Sequence, residues 1–92
     1  MSKLDDARVI IDEIDTEIIK LFEKRMDTVK QVVEYKFENN MPVLDSSREA
    51  VMLEKNLKKI TNQEYKKYYQ DVLEGFLKSS KKMQQDMLDS NK

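Results

Sequence analysis

The chain has 92 residues, with 17 basic and 18 acidic side chains and a formal net charge of −1. It contains neither cysteine nor histidine, which excludes disulfide and thiolate chemistry and removes the commonest general base and metal ligand. The balanced charge argues against a nucleic-acid partner. The opening stretch, MSKLDDARVI, lacks a long apolar run, so we expect a cytoplasmic protein without a signal peptide or a membrane span.

The first predicted element is one long helix over residues 3–39. Apolar residues recur along it at steps of three and four, and neither glycine nor proline interrupts it. The apolar stripe consists of Leu4, Ala7, Ile11, Ile14, Ile18, Leu21, Val32 and Tyr35. At about 1.5 Å per residue this helix is ~50–55 Å long, whereas a compact globule of this size is only ~30 Å across. The helix therefore overhangs its own chain, which predicts an intertwined homodimer that covers the stripe.

A loop around Pro42, the only proline of the chain, separates the first helix from the second. Its centre, MPVL, is apolar, and we interpret this loop as the lip of a site rather than an ordinary polar connector. Ser46 and Glu49 have the spacing of a capping box, and Asp45 is a second candidate for the cap. The second helix is therefore predicted to start at residues 45–46.

The third predicted helix opens at residues 61–62, where Thr61 and Glu64 repeat the capping-box spacing. Residues 89–92 are expected to fray. The sequence has no strand pattern, no internal repeat and no linker long enough to split domains. We therefore predict a single all-α domain over residues 1–92, built of three helices, one of them very long, in an intertwined homodimer.

Cationic residues interrupt the apolar stripe of the first helix. Arg25 takes a heptad position that apolar residues hold elsewhere, and a buried guanidinium needs an acid or a bound anion. The alternatives are an ion pair that sets the register of a dimer, or a side chain that snorkels to solvent. Lys36 follows eleven residues later, nearly in line with Arg25 and about 16 Å along the axis, so the two long side chains can converge on one ligand. The alternative is that Lys36 is a solvated residue at the helix end. Arg8, ~25 Å from Arg25, reaches the same ligand only from a second subunit; otherwise it is an exposed surface residue.

Polar residues also stand at inward positions of the other two helices. Ser80 and Gln84 are four apart and continue an apolar line of the third helix, where they either pair in the core or face a polar cavity. Asp45, Arg48 and Glu49 crowd the start of the second helix, and the acids there also suit the helix dipole. Taken together, these residues predict an interior pocket for a small, multiply anionic ligand that carries a hydroxyl.

The spacing of this whole set resembles the all-helical class of chorismate mutase, over essentially the full length of the chain. The matching segments are the early arginine (Arg8), EKR ending in Arg25, YK ending in Lys36, MPVLDSSRE ending in Glu49, and SSKKMQQ near the end. The resemblance implies an intertwined dimer with two sites that converts chorismate to prephenate by a Claisen rearrangement. This reaction needs no metal and no cofactor, and it leads toward phenylalanine and tyrosine.

The resemblance also implies that four of the polar residues hold the substrate carboxylates. Arg25 and Arg8, the latter from the partner chain, would bind the two carboxylates. Arg48 would support a carboxylate, and Ser80 would add a hydrogen bond.

The remaining residues of the set would act on the other substrate oxygens. Lys36 and Gln84 would point at the ether oxygen. Glu49 would hold the ring hydroxyl together with Asp45, through either the side chain or the backbone of Asp45. Lys36, Gln84, Arg25 and Glu49 are the predicted catalytic residues.

Two other functions remain open from the sequence. One is an isochorismate–pyruvate lyase, which uses the same fold and removes pyruvate from a close isomer of chorismate. A non-catalytic helical dimerisation or regulatory module would instead pair Arg25, Glu49 and Gln84 with one another. Control through a partner enzyme, and continuation of the natural chain past Lys92, are also open.

Overall fold

The computed structural model describes residues 2–91, and these residues form three α-helices. Helix α1 spans Lys3–Glu38, α2 spans Ser46–Leu57 and α3 spans Lys66–Ser90, with a short 3-10 turn at Gln63–Tyr65 ahead of α3. The described residues contain no strand. The predicted all-α fold of three helices, with one very long first helix, is confirmed.

Both ends of α1 follow from local chemistry. Ser2 caps the start, because its hydroxyl accepts from the backbone N–H of Asp5 at 3.1 Å in a capping box. At the other end Asn40 takes a left-handed conformation with φ of 54°, which asparagine tolerates better than most residues. The backbone N–H of Met41 then donates to the carbonyl of Lys36 at 2.8 Å. The chain therefore reverses at once, and the following loop folds back along α1.

The start of α2 agrees with one of the two predicted caps. Asp45 is the cap, and its side chain accepts from the backbone N–H of Arg48 at 3.1 Å. Ser46 is already the first helical residue, so the predicted Ser46–Glu49 capping box does not form. An aspartate one residue earlier reaches the same free N–H groups.

The predicted ends of the third helix are wrong. Asn62, rather than Thr61, caps the segment, because its side chain accepts from the backbone N–H of Glu64 at 3.0 Å. The backbone carbonyl of Asn62 accepts from the N–H of Tyr65 at 3.0 Å, which closes a 3-10 turn, and α3 begins only at Lys66. At the other end α3 is helical through Ser90, so Asp89 and Ser90 are not frayed. Residue Lys92 of the predicted frayed tail lies outside the described residues.

Helix α3 packs against both α1 and α2, and the small core lies along these contacts. Among the described residues, the buried apolar ones are Val33 of α1, Val43 of the loop and Leu73 of α3. By contrast, every described residue up to position 21 is exposed, including Ile11 at 54% and Leu21 at 65%. The predicted overhang of the first helix is therefore seen in the single chain.

The dimensions of the chain reflect this overhang. Its radius of gyration is 16.8 Å and its longest axis is 57 Å, whereas a compact chain of this length has a radius of gyration of about 12 Å. Its accessible surface is 7630 Å², against about 5,600 Å² for a compact monomer of the same mass. One copy therefore exposes roughly 2,000 Å² more surface than a globular protein of its size.

Candidate active site

One cavity of about 210 Å³ lies between the three helices and the loop over residues 39–45. Seven polar residues line it, contributed by every one of these elements: Arg25, Lys36, Asp45, Arg48, Glu49, Ser80 and Gln84. They are the residues that the sequence singled out, apart from Arg8. Three are cationic and two are carboxylates, so the cavity has one positive charge in excess and suits an anionic ligand.

Arg25 enters the cavity from the middle of α1 and contacts α3. Its Nη1 donates to the hydroxyl of Ser80, and its guanidinium carbon lies 5.8 Å from the centroid of the Phe76 ring. In residues 2–91 the salt bridges join Glu17 to Lys20 and Glu54 to Lys58, all exposed and outside the cavity. Among the described residues, Arg25 therefore forms no salt bridge with Glu49 or any other acid, and no hydrogen bond with Gln84.

Lys36 connects α1 to the loop through two hydrogen bonds. Its Nζ donates to the carbonyl of Val43 at 3.2 Å, while its own carbonyl accepts from Met41. Val43 is buried at 5% exposure, so the apolar centre of the loop packs inward at this point. The ammonium of Lys36 is thereby held at the edge of the cavity.

Asp45 lies at the other end of the loop, where it caps the start of α2. The hydroxyl of Ser47 donates to its carboxylate at 2.6 Å, and the backbone N–H of Arg48 donates at 3.1 Å. These two bonds, with a smaller attraction from Lys36, hold the pKa of Asp45 below its ordinary value of 3.8. Asp45 is therefore ionised at neutral pH, and its carboxylate is occupied with capping.

Glu49 and Gln84 face the cavity from α2 and α3, and both are half-buried. Their side chains have no hydrogen-bond partner within the part of the chain that the structure describes. A half-buried carboxylate and a half-buried amide without partners inside the protein are available to a ligand. Gln84 lies one turn after Ser80, so the two reach the cavity from the same face of α3.

Arg8 is the one predicted site residue that the chain does not bring to the cavity. It is exposed on the overhanging half of α1, seventeen positions before Arg25 and therefore roughly 25 Å away along the axis. From this position it cannot reach the cavity of its own chain.

Apart from Val43, which belongs to the predicted lip, the apolar part of the lining was not identified from the sequence. It consists of Val29, Val32, Val33, Val43, Met52 and Leu77. Helical spacing could have found several of these positions: Val29 lies four residues after Arg25, Met52 three after Glu49, and Leu77 three before Ser80. These side chains make the walls between which the polar groups converge.

Residues 2–91 show neither a metal site nor a membrane span. No group of three or more acids forms a cluster that could hold a metal ion. None of the described helices has the length and apolar character needed to cross a membrane.

Comparison with known proteins identifies the family. The sequence model described as chorismate mutase type II matches residues 7–85. The chain is 41% identical over 54 residues to the T-protein of Haemophilus influenzae. The aligned region covers 59% of this chain and 14% of that protein. It is 43% identical over 54 residues to the bifunctional chorismate mutase/prephenate dehydratase of Buchnera aphidicola subsp. Schizaphis graminum, covering 56% of this chain. The chain thus spans about one seventh of the length of these relatives (14% of each), and residues 7–85 include Arg8 and the whole cavity lining.

Proposed function

The chain belongs to the chorismate mutase type II family, and we propose that it catalyses the rearrangement of chorismate to prephenate in aromatic amino acid biosynthesis. The observation that carries this proposal is the cavity of about 210 Å³, which collects three cations, two carboxylates, a hydroxyl and an amide. In the reaction one C–O bond breaks and one C–C bond forms within the same molecule. No nucleophile, metal or cofactor is required, which suits a chain without histidine or cysteine.

The substrate carboxylates are assigned to the arginines. Arg25 and Arg48 line the cavity, and guanidinium groups bind carboxylates through pairs of parallel hydrogen bonds. We assign the third arginine, Arg8, to the cavity of a second copy of the chain. Clamping both carboxylates holds the substrate folded with its reacting carbons close together, a geometry that supplies part of the rate enhancement.

The ether oxygen is assigned to Lys36 and Gln84. As the C–O bond breaks, negative charge builds on this oxygen in the transition state. An ammonium and an amide N–H fixed beside it stabilise that state more than the ground state, which is the condition for catalysis. Both side chains line the cavity, one from α1 and the other from α3.

The ring hydroxyl is assigned to the start of α2. The carboxylate of Glu49 is half-buried and has no partner within the described residues, so it is free to accept the hydroxyl hydrogen. The carboxylate of Asp45 is engaged with Ser47 and Arg48, so its contribution is assigned to its backbone.

A homodimer completes the proposed site. The chain exposes 7630 Å², roughly 2,000 Å² more than a compact monomer of its mass. Covering that excess on both copies buries about 4,000 Å², which lies within the range of obligate homodimers. The apolar stripe of α1, with Ile11, Ile14 and Ile18 about half exposed, is the surface to be covered, and Arg8 lies beside it.

The location and the partner enzymes of the protein stay predictions. We propose a cytoplasmic protein that forms one domain over residues 1–92. The name of one relative joins chorismate mutase to prephenate dehydratase, which supports a partner enzyme that consumes prephenate, either in the same polypeptide or as a separate protein.

The function is tested by incubating the purified protein with chorismate and, in a parallel assay, with isochorismate. We expect rapid loss of the chorismate diene absorbance with prephenate as the product, and no release of pyruvate from isochorismate. Pyruvate from isochorismate without prephenate from chorismate would replace the mutase with the lyase. If neither substrate reacts, the chain is a non-catalytic module. That alternative expects Arg25 to pair with Glu49, whereas Arg25 contacts Ser80 instead.

A further inference from the structure

The loop over residues 39–45 holds Lys36 at both its backbone and the tip of its side chain. The backbone carbonyl of Lys36 accepts from the N–H of Met41 at 2.8 Å, and its Nζ donates to the backbone carbonyl of Val43 at 3.2 Å. A free lysine side chain samples many rotamers, and this freedom is lost when its ends are fixed. The two bonds therefore restrict where the ammonium can lie.

The carbonyl of Val43 is itself held in place by the residues around it. The Val43 side chain is buried at 5% exposure. Before it, Asn40 reverses the chain with a φ of 54°, and the ring of Pro42 fixes φ near −65°. After it, Asp45 caps α2 by accepting from the backbone N–H of Arg48. The carbonyl thus lies between a fixed turn and a fixed helix start.

The bond to the loop leaves the ammonium able to act on a ligand. An ammonium has three N–H donors, so two remain for the cavity that Lys36 lines. A backbone carbonyl is uncharged and orients the ammonium without neutralising it, as a carboxylate would. Asp45 is close enough for Lys36 to contribute to its lowered pKa, yet the two form no salt bridge among the described residues. The positive charge of Lys36 therefore stays available.

We propose that Val43 and Pro42 are positioning residues for Lys36: the backbone carbonyl of Val43 aims the ammonium into the cavity, and Pro42 fixes the loop that carries this carbonyl. A donor stabilises a developing negative charge best when it is in place before the reaction, so the loop contributes to kcat more than to substrate binding. This kinetic consequence rests on the proposed function. The hold on the ammonium is testable without substrate.

The first test observes the lysine ammonium groups by ¹⁵N NMR in the substrate-free protein. We expect a scalar coupling across the hydrogen bond from the Nζ of Lys36 to the carbonyl carbon of Val43. The ammonium hydrogens of Lys36 should also exchange with water more slowly than those of Lys30. Lys30 is the control, because it lies on the same helix, is exposed and has no hydrogen-bond partner within the described residues. A Lys36 ammonium that lacks the coupling, or exchanges as fast as that of Lys30, overturns the proposal.

The second test compares two glycine substitutions in the loop. Pro42 and Asn40 are both exposed, and neither lines the cavity, so an effect on turnover must act through the loop. Pro42→Gly should weaken the coupling, speed the ammonium exchange and lower kcat about three- to tenfold, which corresponds to the backbone freedom that glycine restores. KM should change less than about twofold. Asn40→Gly should leave all four quantities unchanged, because glycine adopts a positive φ without strain.

A loop that served only the fold would give a different result. Pro42→Gly would then lower Tm and leave the kcat of the folded protein at the wild-type value. That outcome overturns the positioning role, and so does an equal loss of kcat in Asn40→Gly or a Pro42→Gly variant with an unchanged ammonium signal. Circular dichroism fixes the assay temperature at which each variant is folded.

The two tests separate this inference from the proposed function. A wild-type protein that shows the coupling at Lys36 but does not turn over chorismate overturns the function and supports the positioning of the ammonium. An active protein in which Pro42→Gly frees the ammonium without lowering kcat supports the function and overturns the positioning role.

Discussion

Replacing Lys36 by methionine removes the ammonium while keeping an unbranched apolar side chain of similar length. The Nζ of Lys36 donates to the carbonyl of Val43 at 3.2 Å, so the substitution removes one hydrogen bond, worth about 1 kcal/mol of stability. For a domain of this size that lowers Tm by roughly 4–8 °C. Loss of a donor to the developing oxyanion costs about 10²–10³ in rate, or ~2.7–4 kcal/mol. The catalytic effect therefore exceeds the structural one.

The assay follows the diene absorbance of chorismate at a temperature where circular dichroism shows Lys36→Met to be folded. Lys30→Met is the matched control, because Lys30 lies on the same helix but is exposed and outside the cavity; it should keep wild-type turnover. We expect kcat to fall at least a hundredfold for Lys36→Met alone. Turnover within threefold or so of wild type would refute the assignment of Lys36 to the ether oxygen.

Three further substitutions test other parts of the proposal. Gln84→Glu should be nearly inactive at neutral pH and recover in mild acid, because an ionised carboxylate repels the developing charge whereas a protonated one donates; a flat pH–rate profile contradicts this placement. Ile14→Asp puts a charge into the exposed stripe of α1 and should yield a monomer without activity in sedimentation and turnover assays; a variant that still sediments as a dimer argues against the proposed interface. Asp45→Asn tests the lowered pKa of Asp45. The stability that depends on the Asp45 charge is present above pH 3.8 and is lost as the pH falls through the lower pKa that Asp45 has in the folded protein. The difference in Tm between wild type and Asp45→Asn should therefore be constant near neutrality and change only in strong acid. A Tm difference that already changes between about pH 5 and 7 contradicts this prediction.

Helical periodicity was sufficient to predict much of the site. Arg25 and Lys36 are eleven residues apart, and Ser80 and Gln84 are four apart, so each pair shares one face of its helix. Polar residues on an otherwise apolar face indicate a cavity or a buried network, and in the structure all four line one cavity. The spacing within a helix is local information, which is why the sequence contains it.

Contacts between helices could not be predicted in the same way. The bond from Arg25 to Ser80 joins residues 55 positions apart and depends on the packing of α1 on α3. The inward face of α1 shows the same difficulty. The predicted stripe, which a second copy is expected to cover, includes Val32, which is 47% exposed in the single chain, whereas Val33 is buried at 1%. Both residues are valines that line the cavity, and one position corresponds to a rotation of about 100°. The pattern of apolar residues did not show which of the two is buried within the single chain.

The sparse core of the single chain has a consequence for how its stability must be expressed. Val33, Val43 and Leu73 are the apolar residues that are buried among those described, and the first half of α1 contributes none. If a second copy supplies the missing contacts, folding and association form one equilibrium, and the free energy of unfolding has no single value apart from the protein concentration. Each tenfold dilution then costs the dimer about 1.4 kcal/mol, so a dilute solution and a heated one reach the same unfolded, inactive chains.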